Sequence, residues 1–179
     1  MRQDSGSGNV SPRKRLWTPW RMGFIRGPKP AECIFCAKAG ERDDRKNHVL
    51  FRGAHSFILL NAYPYAAGHL MIAPYRHVGT LEVLPAEVTS EMMELAKRSI
   101  GALRQSHRSE SFNVGVNIGE PAGAGIADHV HLHVVPRWVG DSNFMPVLGD
   151  VRLIPETLDE TYAKLLSVGL GGPASPAPG

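Results

Sequence analysis

Residues His129-Val130-His131-Leu132-His133-Val134-Val135 alternate imidazole with aliphatic side chains, and the branched residues in the run favour an extended strand. In a strand, side chains two apart share a face. All three imidazoles therefore point one way, while Val130, Leu132 and Val134 point the other. One face is packed and the other is left for chemistry. Imidazole is the side chain whose unperturbed pKa lies near neutrality, and a rise of roughly 3.3 Å per residue crowds three of them into about 7 Å. A single histidine is commonly a satisfied core residue; three in register argue against that reading.

The chain has 179 residues with 42% hydrophobic content, enough for one domain with a real core. Residues 1–15, with Ser, Gly, Asn and Pro before Arg13-Lys14-Arg15, read as a mobile basic tail, and residues 171–179 as a low-complexity tail. The domain is expected to span 16–170. Within it, Leu16-Trp17-Thr18-Pro19-Trp20-Arg21-Met22 is too aromatic for a linker and is expected to pack on the domain or on a second subunit.

Val49–Phe51 and Ser56–Leu60 read as a hairpin turning at Arg52-Gly53-Ala54-His55, followed by a strand over Gly68–Ala73. Val88, Met92, Leu95, Ala96, Ser99 and Leu103 recur at helical spacing and predict a long helix over Pro85–Ser106. Strands are expected at Phe112–Asn117 and His129–Pro136, and a closing helix at Pro155–Val168 stopped by Gly169. The class is α+β, with a mainly antiparallel sheet, one long helix and a C-terminal helix.

No apolar run approaches the roughly 20 residues that cross a bilayer, and Met1–Pro12 is polar, so a cytoplasmic protein without a membrane partner is expected. The formal net charge of +3 is too mild to demand nucleic acid, and Arg13-Lys14-Arg15 reads as a solvated basic end. Cys33 and Cys36, in Cys-Ile-Phe-Cys, fit a redox dithiol, half a zinc site or a strained disulfide. A redox pair normally follows a strand and opens a helix, whereas this one follows the turn formers Gly27-Pro28-Lys29-Pro30.

The loop Gly119-Glu120-Pro121-Ala122-Gly123-Ala124-Gly125 precedes the histidine run, and its glycines let backbone amides approach an anion. An anion beside an imidazole is the setting for phosphoryl or nucleotidyl transfer. The middle histidine, His131, is the expected nucleophile, its ring oriented by a neighbour on each side. A neutral imidazole needs no base before it attacks phosphorus, and His133 is placed to meet phosphate oxygens or the leaving group. His48, His55 and His107 stand isolated among polar residues and read as solvated.

The run His-x-His-x-His followed by aliphatics, with Asn61 through Gly68-His69 and Pro74-Tyr75-Arg76-His77 upstream, resembles the histidine triad (HIT) family of nucleotide hydrolases and transferases. The likeness extends from about Leu16 to Leu170. Leu16-Trp17-Thr18-Pro19, Phe112–Asn117 and Pro136-Arg137-Trp138 are similar to the branch that contains diadenosine tetraphosphate phosphorylases. The resemblance implies a HIT-like fold and a nucleotidyl phosphorylase or hydrolase that cleaves dinucleoside polyphosphates through a nucleoside monophosphate on His131. It also implies ribose binding by Asn61, phosphate binding by Asn117, support of the triad by His69, and a homodimer. Its zinc-bearing members imply a closed structural zinc site at Cys33, Cys36, His77 and His129. Many members carry Gln, Ser or Thr where this chain has Ala124 and Gly125, so loop amides and His133 are left to meet the phosphate charge. That gap admits inorganic phosphate as acceptor in place of water. A nucleoside phosphoramidase or general nucleotide hydrolase is the alternative enzyme. A zinc-stabilised protein that binds or senses purine nucleotides without turnover is the alternative of another class.

Overall fold

Continuous apolar runs either side of turn residues build the hairpin: β1 (Val49–Arg52) pairs antiparallel with β2 (Ser56–Leu60), with Phe51 opposite Ile58 and Arg52 opposite Phe57. This is a computed structural model, and it describes residues 32–141 and 155–171. The expected tail over 1–15, the segment Leu16–Met22 and residues 172–179 of the expected C-terminal tail lie outside the described residues. The turn is tied to the long helix, because the Glu91 carboxylate accepts the amides of Ala54 and His55, each at 2.7 Å.

Three further strands complete the sheet: β3 (Leu70–Pro74), β4 (Ser111–Val116) and β5 (Leu132–Arg137). Among the described residues the order is β1-β2-β3-β5-β4, with each neighbouring pair antiparallel. β3 is buried along its whole length, which suits its near-continuous apolar sequence, whereas β4 is mostly exposed and, among the described residues, hydrogen-bonds to β5 alone.

Four helices are described: α1 (Ile34–Gly40), the short α2 (Asp44–Asn47), α3 (Ala86–His107) and α4 (Leu158–Ser167). α3 buries Val88, Met92, Leu95, Ala96, Ser99, Ala102 and Leu103, almost the stripe its spacing predicts. These pack on Ile58, Leu60, Leu70, Ile72, Leu132 and Val134, forming the main core on one face of the sheet. α4 starts on a capping box between Thr157 and Glu160 and turns out of the helix at Gly169, whose φ of +82° favours glycine. The other sheet face is smaller: Phe35 of α1 packs with Val49, Phe57, Leu59, Met71 and Ala73. Neither α1 nor α2 follows from the periodicity of the sequence, both being too short to show it.

Candidate active site and metal-ligand cluster

The alternation of residues 129–135 does sort by face. Val130, Leu132 and Val134 enter the α3 core, while His133 stands opposite Met71 on the α1 face. The strand, however, begins at Leu132 and not at His129. β3 ends at Pro74 and pairing with β4 stops at Val116–Leu132, so Val130 instead donates its amide to the Val78 carbonyl at 2.7 Å. Gly79 keeps this crossing tight, since a Cβ there would lie 2.7 Å from the Ala127 carbonyl oxygen. His129 and His131 thus occupy an extended approach to β5, buried against Phe35, whose ring centroid lies 5.0 and 4.8 Å from theirs.

Fixed partners assign each ring its tautomer. His129 Nε2 is 2.9 Å from the Pro74 carbonyl oxygen, which can only accept, so Nε2 carries the proton and Nδ1 a lone pair. His131 Nδ1 is 2.9 Å from the His129 carbonyl oxygen, leaving the lone pair on Nε2. The expectation that flanking imidazoles orient His131 is corrected in this respect: the group that holds Nδ1 is the backbone carbonyl of His129, while the His133 ring meets the His131 ring edge to face. Burial lowers the His131 pKa from the ordinary imidazole value, and the bond to the His129 carbonyl opposes this only in part.

His69 Nδ1 accepts the Tyr65 amide at 3.1 Å and lies 3.3 Å from Asn61 Nδ2, so the neutral ring carries its proton on Nε2. That proton faces His133 Nδ1 at 3.0 Å, which places the His133 proton on Nε2. Tyr65 covers both rings, with centroids at 4.7 and 6.2 Å.

His131 and His133 line a cleft with Asn61, Tyr63, Gly123, Gly125, Ile126, Ile34 and Lys38. Asn61 also accepts the Tyr63 amide at 2.9 Å, an Asx-type turn that sets the strand exit. Asn117 follows the end of β4 and is not among the cleft-lining residues, and neither is Ala124, which is buried with its amide donating to Gly119 O at 3.3 Å. Gly125 lines the cleft, and its amide makes no backbone hydrogen bond among the described residues.

Cys33 caps α1 and Cys36 lies in its first turn, so the pair does open a helix, and both cysteines are free. Their partners come from elsewhere in the chain. Cys33 Sγ is 3.3 Å and Cys36 Sγ 3.7 Å from His129 Nδ1; Cys36 Sγ is 3.3 Å and His129 Nδ1 3.2 Å from His77 Nδ1. The four donor atoms lie within 4.8 Å of one another. Metal bonds of about 2.3 Å to sulfur and 2.0–2.1 Å to nitrogen give a tetrahedron with edges of about 3.3–3.8 Å, so the donor set fits one tetrahedral cation. Burial, the Cys33 thiol and the Glu32 charge raise the Cys36 pKa, and a divalent cation among these donors favours the thiolate instead.

Sequence reading missed Phe35, Tyr65 and Lys38. Phe35 carries a signal, an aromatic between the two cysteines, whereas Lys38 looks like any solvated helix residue. His107 is a correction: its side chain is 5% exposed, with Nε2 2.6 Å from Glu156 Oε1 and Nδ1 2.7 Å from Ser106 Oγ. Its carboxylate partner precedes α4, 49 residues away, so local polarity could not reveal the burial. His48 likewise reaches Asp159 at 3.1 Å, while His55 is exposed.

Comparison with known proteins gives this geometry its setting. The model of the HIT domain matches residues 42–139. The chain is 38% identical over 168 residues to the AP-4-A phosphorylase of Mycobacterium tuberculosis, covering 88% of this chain and 85% of that protein. It is 32% identical over 107 residues to the adenosine 5'-monophosphoramidase HNT1 of Saccharomyces cerevisiae, covering 60% and 63%. Among solved structures, a Zn-bound histidine triad family protein from Mycobacterium smegmatis aligns with a TM-score of 0.62 at 24% identity, over 76% of this chain and 92% of that one, a likeness of fold. With its alternating histidines, antiparallel sheet and matched central region, the chain belongs to the HIT domain family.

Proposed function

We propose that this chain is a nucleotidyltransferase that cleaves dinucleoside polyphosphates of the diadenosine tetraphosphate type through a nucleoside monophosphate carried on His131. The observation that carries the reading is the His131 tautomer: Nδ1–H is held by the His129 carbonyl, and the ring that lines the cleft keeps its lone pair on Nε2. That nitrogen attacks the α-phosphorus, a P–N bond forms, and the bond to the departing nucleotide oxygen breaks. His133 Nε2–H, set by His69, donates to the phosphate or leaving oxygen, and the Gly125 amide is the loop donor left for the same charge. Asn61 takes the ribose hydroxyls; Asn117 and Ala124 do not line the cleft, and their expected part in binding substrate is not carried into this reading. Inorganic phosphate then attacks the phosphoramidate, forming a nucleoside diphosphate and restoring His131. The 38% identical AP-4-A phosphorylase supports phosphate over water as acceptor. The phosphoramidase relative supports a second reading in which water is the acceptor.

Cys33, Cys36, His77 and His129 are the residues that would hold zinc. Four protein ligands close the coordination sphere, so the ion would tie α1 to the segment after β3 and supply no reacting group. The free cysteines suit a reducing cytoplasm, and the exposed β4 edge suits pairing with a second copy in a homodimer. No helix among the described residues is long and apolar enough to cross a membrane.

The test is product analysis of diadenosine tetraphosphate with and without inorganic phosphate. ADP and ATP are expected with phosphate. AMP and ATP irrespective of phosphate would transfer the reading to hydrolysis, and absence of both turnover and a His131 adduct would remove it.

A further inference from the structure

A second cavity, of about 560 Å³, opens where α3 ends, and its size is in the range of sites that hold small organic ligands. Among the described residues its walls come from the β2–β3 loop, the end of α3, the segment after β5 and residues in and just before α4. It shares no lining residue with the cleft at His131, yet the two are neighbours across one ring. Tyr65 forms part of the cavity wall, and its ring centroid is 6.2 Å from that of His133, which is 4.7 Å from that of His131. The Tyr65 ring is therefore within about 11 Å of the nucleophile's ring.

The charged groups on these walls are engaged with one exception. Glu156 pairs with His107 and Lys164, and Asp141 pairs with Arg137. Arg108 is exposed on the cavity wall, and its guanidinium makes no ion pair or hydrogen bond among the described residues. It caps α3 at a φ of +51°, a conformation that favours glycine or asparagine, so backbone preference does not account for an arginine here. Trp138, whose indole N–H donates to the His107 carbonyl at 3.1 Å, joins Tyr65 as a second aromatic wall. An uncompensated guanidinium beside aromatic side chains suits a ligand that joins phosphates to an aromatic base.

We propose that this cavity receives the far half of a dinucleoside polyphosphate, the nucleotide that departs when His131 attacks, with Arg108 meeting its phosphates. The inference rests on the nucleotidyl-transfer reading given above. In that reading His133 meets the departing oxygen, so the phosphates beyond it leave on the side that Tyr65 covers. A tetraphosphate carries three phosphates beyond the attacked one, and these carry the chain past the Tyr65 ring before the second nucleoside begins. Contacts made by this remote half help to hold the reacting phosphorus in line. A leaving group as small as ammonia reaches none of them.

The test is steady-state kinetics of the full-length protein on diadenosine tetraphosphate and on adenosine 5'-phosphoramidate, whose leaving group is too small to enter the cavity. Arg108→Gly removes the guanidinium at a position whose backbone suits glycine, so folding is preserved. It is expected to raise KM for diadenosine tetraphosphate about tenfold, the scale of one lost hydrogen bond to a charged group, and to lower the ratio of kcat/KM between the two substrates by the same factor. Arg108→Lys retains most of that ratio, and Ala67→Phe, which fills the cavity from the β2–β3 loop, lowers it as Arg108→Gly does. If wild type turns over diadenosine tetraphosphate alone, the change in KM decides by itself. An unchanged ratio or KM in Arg108→Gly or Ala67→Phe, a loss shared equally by both substrates, or turnover of the phosphoramidate alone would overturn the assignment while leaving the chemistry at His131 intact. Turnover of neither substrate by wild type would remove the nucleotidyl-transfer reading and this inference with it.

Discussion

His69 Nε2 and His133 Nδ1 stand 3.0 Å apart, and the Tyr65 amide, 3.1 Å from the far nitrogen of His69, fixes the direction of the bond between them. A backbone N–H thereby sets, through two rings, which nitrogen of His133 donates. The relay needs no charged group, and its members come from the β2–β3 loop, the residue before β3, and β5.

Replacing the middle of that relay should cost rate and not affinity. His69→Leu is expected to lower kcat about 100-fold with KM changed less than about threefold, since proton-donating groups contribute on this scale. Steady-state kinetics on diadenosine tetraphosphate check it; a rise in KM at constant kcat would make His69 a binding residue.

Loss of the nucleophile is more severe. His131→Ala is expected to reduce kcat/KM by about 10⁴-fold or more and to abolish the acid-labile nucleotide adduct seen by mass spectrometry, while nucleotide affinity stays within about tenfold. An adduct that persists in this variant would move the chemistry to another histidine.

For the cysteine–histidine cluster, about one zinc per chain is expected in protein kept from chelator. Cys36→Ser should lose the metal and about 3 kcal/mol or more of stability, which for a chain of this size lowers Tm by roughly 6–12 °C. Elemental analysis beside scanning calorimetry reads both; metal-free protein with an unchanged Tm would end the proposal.

Glu156 makes stability depend on acidity. Burial pushes its carboxyl up, but hydrogen bonds from Lys164, Thr161 and His107, together with the His107 charge, outweigh this and hold the pKa below the usual carboxylate range. A depressed carboxyl contributes stability that is complete above the unfolded value of about 4.3 and is lost as pH falls through the lower folded value. Urea midpoints should therefore separate wild type from Glu156→Gln at pH 6 and converge as pH falls below the folded-state value. A separation that is constant with pH would mean that the carboxylate charge is not what stabilises the contact.

The parts of the molecule legible from residues alone are those with a period. The α3 stripe and the alternation at 129–135 each repeat often enough to show their faces, the β1–β2 hairpin shows as two apolar runs around turn residues, and the predicted helix over Pro85–Ser106 differs from Ala86–His107 by one residue at either end. What escaped has no repeat: α1 and α2 are seven and four residues long, and the Glu156 contact that buries His107 spans 49 residues. The start of β5 escaped as well, because it is decided by where its neighbours stop and not by its own composition. Of the cleft, His131 and His133 could be named from their spacing, but not Tyr63 or the backbone carbonyl that orients His131.

His129 faces two directions at once, its ring toward Cys33, Cys36 and His77 and its peptide oxygen toward Nδ1 of His131. An ion gripped by that ring would brace, one peptide away, the very oxygen that aims the attacking nitrogen. Durability and turnover would then share a hinge pin, and wear at the one would show up as misalignment at the other long before the chain came apart.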